Sequence, residues 1–205
     1  YSVTANATTD RSSFYASINY LDNEGITPNS QYDRLTGRLK ADYQVKPWLK
    51  VGGNFSYTHF EADQTNPDEE GSSNSSGNVF AMSMMAPIYS VYVRDGEGNI
   101  MHDNLTNMPM YDYGDGTHNG VIRPYLKSAN PLSANQLDKN NYNGNAFNVS
   151  GFAEIRFLKD FKFTTSNSVY IDETRQTNTI NPYYGQYASS NGIVYKYHTR
   201  SVSQN

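Results

Sequence analysis

Strict alternation of apolar and polar residues, kept in phase across tight turns, constrains this chain more than any other feature. In residues 34–59, RLTGRLKADYQVKPWLKVGGNFSYTH, Leu35, Gly37, Leu39, Ala41 and Tyr43 share one face, and Arg34, Thr36, Arg38, Lys40 and Asp42 share the other. After a break at 44–48, Leu49, Val51, Gly53, Phe55 and Tyr57 oppose Lys50, Gly52, Asn54, Ser56 and Thr58. A period of two sends successive side chains to opposite faces, so these are two half-apolar strands joined by a short turn. Setting Tyr43 opposite Leu49 aligns Leu39 with Gly53, Gly37 with Phe55 and Leu35 with Tyr57, and brings Asp42 across from Lys50. An aromatic ring over a cross-strand glycine covers backbone that would otherwise lie bare.

The same scheme recurs. In YSVTANAT and SFYASINYL, placing Ala7 opposite Phe14 aligns Ala5 with Ala16 and Val3 with Ile18. In NAFNVSGFAEIRF and FKFTTSNSVYID, joined by Leu158-Lys159-Asp160, Phe157 faces Phe161, Ile155 faces Phe163 and Val149 faces Val169. A seventh strand, GIVYKYHTRSVS, starts from about Ile193. A slip of one residue would invert every face, and three hairpins avoid it.

Connections alternate in length. Those at 9–12, 44–48 and 158–160 are short, and those at roughly 22–31, 63–142 and 176–192 are long. Short turns at one rim and long loops at the other are the loop rule of outer-membrane barrels, whereas a soluble sandwich mixes lengths at both ends. A strand of about twelve residues, tilted by about 40°, rises roughly 30 Å, enough to cross the apolar band. Aromatics gather near both strand ends: Tyr43, Trp48, Phe157 and Phe161 at the short-turn rim, and Tyr20, Tyr32, Tyr57 and Phe60 at the other. The expected fold class is therefore all-β, an antiparallel transmembrane β-barrel segment with its apolar face toward lipid. Arg34, Arg38, Lys40, Lys50, Glu154 and Arg156 then face a wet lumen.

Composition limits the alternatives. A mean hydropathy of -0.73 and the lack of any long apolar run exclude a membrane helix, but strand alternation hides a barrel from that measure. A net charge of -4 argues against a nucleic-acid partner. There is no cysteine, so disulfides and thiolate zinc sites are out.

The stretch SFYASINYLDNEGITPNSQYDRLTGRLKADYQVKPWLKVGGNFSYTH resembles the SusC/RagA family of TonB-dependent outer-membrane transporters. Matching places are held by Tyr15, Ala16, Ser17, Tyr20, Asp22, Glu24, Gly25, Tyr32, Arg34, Gly37, Arg38, Leu39, Trp48, Leu49, Lys50, Gly52 and Asn54. AMSMMAPIYSVYVRDGEGN and Asn130-Pro131-Leu132 continue the likeness, while Asn19, Lys40 and Ser90 depart from it. The resemblance implies a 22-stranded plugged barrel, of which this chain would be an internal segment of about seven strands. Residues 1–205 would be a partial barrel domain and 63–142 its long extracellular loop. It further implies a bacterial outer membrane of the Bacteroidota-like kind and import of oligosaccharides or oligopeptides. The implied partners are a SusD-like surface lipoprotein and TonB-ExbB-ExbD, the latter through a plug and TonB box outside these residues. A siderophore or cobalamin receptor of the same architecture, and a soluble β-rich glycan-binding or adhesin module, are the alternatives.

The long insertion carries the remaining signals. NVFAMSMMAP reads as a short helix with Met82, Met84 and Met85 packing inward, and YSVYVRDGEGNIMH as a small hairpin turning at Asp95-Gly96 or Gly98-Asn99. In MYDYGDGTHNG, Tyr111 and Tyr113 could stack on a sugar or peptide beside the acceptors Asp112 and Asp115; the alternative is a tight Asx-turn segment. A calcium loop would need a closing Glu that is missing. The four histidines have no metal-binding spacing, no nucleophile elbow occurs, and Asp68 and Glu69 sit in a polar tip. No catalytic residue, metal or cofactor is expected.

Overall fold

The computed structural model describes residues 1–64, 85–118, 120–124, 130–158, 160–183 and 191–205. Seven strands form one antiparallel meander: β1 (Ser2–Thr8), β2 (Ser12–Glu24), β3 (Gln31–Lys46), β4 (Leu49–Gln64), β5 (Lys139–Phe157), β6 (Phe161–Ile180) and β7 (Ile193–Gln204). A short helix, α1 (Pro131–Leu137), precedes β5. The expected helix at NVFAMSMMAP falls largely outside the described residues, as do Met82, Met84, Asp68 and Glu69.

The β1–β2 and β5–β6 hairpins adopt the registers expected from the pattern, down to Ala7 opposite Phe14 and Phe157 opposite Phe161. The β3–β4 hairpin is displaced by two residues: Tyr43 meets Val51, Leu39 meets Phe55 and Gly37 meets Tyr57. A bulge between Gln44 and Lys46 tightens the turn to Pro47-Trp48, and Gln44 Nε2 donates to the Lys46 and Leu49 carbonyls at 2.6 and 3.2 Å. A shift of two leaves every side chain on its own face, so alternation could not reveal it. Lys50 now reaches Asp42 diagonally, at 2.7 Å.

The short turns do not lie level in the hydrogen-bonded grid. The row through Ser13, at the first turn, runs by way of Asp42 and Gly52 to Phe152, yet the third turn closes at Phe157. Five residues of stagger over four strand spacings correspond to a strand tilt of about 40°, the tilt of a barrel wall. On β5 the apolar positions Phe147, Val149, Gly151, Ala153, Ile155 and Phe157 span roughly 34 Å along the strand, or about 26 Å once tilted. That matches an apolar band of about 25 Å.

Nothing in the described chain covers this face. Val3, Ile18, Leu39, Val149, Phe163 and Val202 are exposed, and Phe55 is 38% exposed. A sandwich would seal such a face beneath a second sheet; here it stays open. The opposite face is polar, with rings over glycines: a Cβ on Gly52 would stand 2.4 Å from Phe152, and one on Gly144 2.2 Å from Phe60. Phe60 and Tyr32, whose rings stack at 6.1 Å, therefore belong to the polar face, leaving Tyr20 and Tyr57 as the outward rings at the long-loop end.

Candidate functional site

Burial concentrates above the long-loop rim, around α1. Asn130 caps the helix: its Oδ1 accepts from Ser133 N at 3.0 Å, and Pro131 follows at the first helical position. Its Nδ2 donates to the carbonyls of Val91 at 2.8 Å and Asp112 at 3.0 Å. One buried amide thus joins three stretches of chain. At the far end Asp138 Oδ1 accepts from the backbone and side-chain nitrogens of Asn181, at 2.8 and 2.6 Å. Asn29 Nδ2 donates to the Asn135 carbonyl at 3.1 Å. All three long connections, after β2, β4 and β6, are tied to this one helix.

Residues 91–124 form a compact knot beside it. Asp95 closes a hairpin by accepting from the amides of Glu97 and Asn99, so the turn spans both expected positions. Asp103 closes a second turn at the amides of Leu105 and Thr106. Those backbone donors hold the Asp95 and Asp103 carboxyls below the ordinary 3.8, as Thr117 does for Asp115. Arg123, 4% exposed, donates from Nη1 to Met85 Sδ at 3.0 Å and from Nη2 to the Asp112 carbonyl at 2.9 Å. Its guanidinium lies 5.5 Å from the Tyr89 ring centre and rests on the bare Cα of Gly114.

The four residues proposed to meet substrate serve this knot. Tyr111 is 4% exposed, its ring packs on Tyr92 and its hydroxyl donates to Gln136 at 2.5 Å. The Tyr113 hydroxyl meets Ser133 Oγ at 2.5 Å. Asp112 accepts from Gly114 N and Asp115 from Thr117 N, the Asx-turn arrangement. Both tyrosine hydroxyls are engaged by α1, and of the four residues only Asp115 is exposed. Sequence reasoning missed α1 as a hub, because buried asparagines carry no periodic signal.

Arg34, Arg38, Lys40, Lys50, Glu154 and Arg156 all lie on the face opposite the apolar band. Glu154 pairs with Arg156 at 2.9 Å and Lys162 at 2.7 Å. Among the described residues Arg34, Arg38 and Lys40 make no ion pair, and a shallow groove of about 490 Å³ runs past Tyr15, Arg38, Lys40, Asn54, Ser56 and Asn148. No described cluster of three His, Asp or Glu side chains could hold a metal.

Burial raises the Asp138 carboxyl above 3.8, against the two Asn181 donors that favour the anion. Its folded pKa therefore exceeds the unfolded one, and the anion is penalised only in the fold. Acidification from neutrality toward pH 3.8 should stabilise the α1–Asn181 junction as Asp138 takes up its proton. Below that, the lowered Asp95 and Asp103 lose their contribution and their turns open. Intrinsic-rate-corrected hydrogen exchange at Asn181 should show the first effect, and Asp138→Asn should abolish it.

No family model matches the chain, and no curated protein matches it. Solved structures do. A chain of the RagAB peptide importer in the 'closed-closed' state aligns over 99% of this chain, with a TM-score of 0.66 and 24% identity. The 'open-open' state gives 0.64 and 22%, and a further structure of the RagAB peptide transporter 0.66 and 21%. The chain shares the fold of a stretch of those chains. This chain spans about a fifth of each matched chain, 20%.

Proposed function

We propose that these residues form part of the wall and outer loops of an active outer-membrane importer of SusC/RagA type, carrying oligopeptides or oligosaccharides. The observation that carries this reading is the uncovered apolar face of a sheet staggered like a tilted barrel. In it, the short turns lie on the periplasmic side and the loop at about 63–142 is extracellular. The α1 hub would present a stiff platform to a SusD-like lipoprotein, and TonB-ExbB-ExbD would act through a plug outside these residues. Similarity to a peptide importer favours peptide over glycan cargo; Asp115, alone of the four candidates, remains available to meet it.

The test uses the full-length transporter. It should need detergent, float with lipid vesicles, and restore uptake of labelled oligopeptides to a deletion strain. Rescue by chelated iron alone would instead favour the siderophore reading. A protein soluble without detergent would sink the barrel. Within the wall, Phe55→Arg places a charge near mid-band and should cost about 2–4 kcal/mol of folding into lipid. Lys40→Asn, on the other face, should cost little; equal penalties in a refolding titration would contradict the assigned faces.

Arg38, uncompensated by any described carboxylate, is proposed to meet the plug. Arg38→Glu should disturb plug seating while the barrel assembles, so import falls and large antibiotics leak in. Normal import together with normal exclusion would refute that role.

A further inference from the structure

Just beyond the apolar band, the outward face carries charge that is mainly acidic on β2 to β4 and, with Glu173 directly across from Arg200, net basic on β6 and β7. On β2, β3 and β4 the outward positions there are Asp22, Glu24, Asp33, Glu61 and Asp63. On β6 and β7 they include Arg175, Lys196, His198 and Arg200. The basic set is compact. Arg175 lies directly across from His198, Lys196 is one outward position further out, and Arg200 one further in, next to the apolar pair Ile171 and Val202. Glu173 holds two members in place, accepting from Arg175 at 2.7 Å and lying 3.0 Å from His198. Lys196 and Arg200 are exposed and make no ion pair among the described residues.

We infer that this patch binds the phosphorylated headgroup of an outer-leaflet lipid. The inference rests on the barrel reading, which sets the patch at the level where acyl chains end and headgroups begin. Arg200 is about 7 Å along the strand from Val202, so one lipid can lay its tail on Val202 and Ile171 while its phosphate meets the cations. Long basic stems lie along apolar surface and carry their charge up to that level. Guanidinium groups suit phosphate oxygens through paired donors. The acidic stretch on β2 to β4 offers no comparable cluster of cations, which leaves the site on β6–β7.

The experiment incorporates the full-length transporter into phosphatidylcholine vesicles containing either bis-phosphorylated or dephosphorylated lipid A. Lipid retained per barrel after detergent extraction is counted by mass spectrometry. The phosphorylated form should be retained in preference. The double variant Lys196→Gln/Arg200→Gln should weaken retention about thirty-fold, from about five-fold per cation. Glu61→Gln/Asp63→Asn should leave it unchanged. Equal retention of both lipids, an unaffected double variant, or displacement by millimolar inorganic phosphate alone would each overturn the inference. If the double variant fails to assemble, salt decides: retention by the wild type should fall steeply with ionic strength, and salt-independent retention would overturn it. Failure to float with vesicles would sink the barrel reading itself, whereas insertion without lipid preference sinks only this site.

Discussion

Gly114→Ala is expected to open the outer-loop knot while leaving the strands intact. Gly114 has φ +65°, where an L side chain is strained by about 1–2 kcal/mol. A Cβ there would stand 1.6 Å from Arg123 Nε. A flexible side chain could swing aside if it were on the surface, but Arg123 is 4% exposed and tied to Met85 and Asp112. Evicting it breaks its charged hydrogen bond to the Asp112 carbonyl, which keeps Asn130 Nδ2 as a donor, at about 1.5–3 kcal/mol. Together these predict a loss of roughly 2–5 kcal/mol in local stability, at least tens-fold in the opening equilibrium. Hydrogen exchange should show it at the amides of Val93, Asp112 and Arg123, with protection in β3 to β6 unchanged. Native protection at those three amides would refute the account of Gly114 as the seat of Arg123.

The second large effect is expected at Asn130, and Asn130→Asp isolates its cause. Aspartate keeps the oxygen that caps α1 at Ser133 N, so the helix start is preserved. It removes both donors to the Val91 and Asp112 carbonyls and puts a charge where the native amide is 4% exposed. Each carbonyl keeps one donor, Asp112 N or Arg123 Nη2, but now faces a buried carboxylate oxygen in place of an N–H, which predicts a loss of about 2–5 kcal/mol. The knot should detach from α1, seen as raised proteolysis within 91–124 at undiminished helix protection. Asn130→Ala should add the loss of the cap, about 1 kcal/mol more at the helix start. If Asp is tolerated as well as Asn, the link between the loops does not run through this amide.

The sheet was readable from the chain because its information is local and periodic. Alternation fixes which side chains share a face, and a short turn leaves few registers for the strands beside it. Val3 against Ile18 and Val149 against Val169 could therefore be paired from sequence alone. The β3–β4 pairing slipped by two because the bulge at Gln44 changes the count without changing a face. Tyr32 and Phe60 were expected in the outward belt, but they lie in phase with Arg34 and Thr58 on the polar face, where Phe60 covers Gly144.

By itself, then, the sequence determined seven half-apolar strands, their faces and the alternation of short and long connections, since hydrophobic period and turn length act over a few residues. The hub was decided only by tertiary structure. Asn29, Asn130, Asp138 and Asn181 are unremarkable polar loop residues until the strand order brings the ends of β2, β4 and β6 together. Tyr111 likewise finds the partner of its hydroxyl, Gln136, only where the fold sets α1 beside it. Such side chains acquire roles from partners far away in sequence, because a buried polar group must find its hydrogen bond wherever the fold provides one.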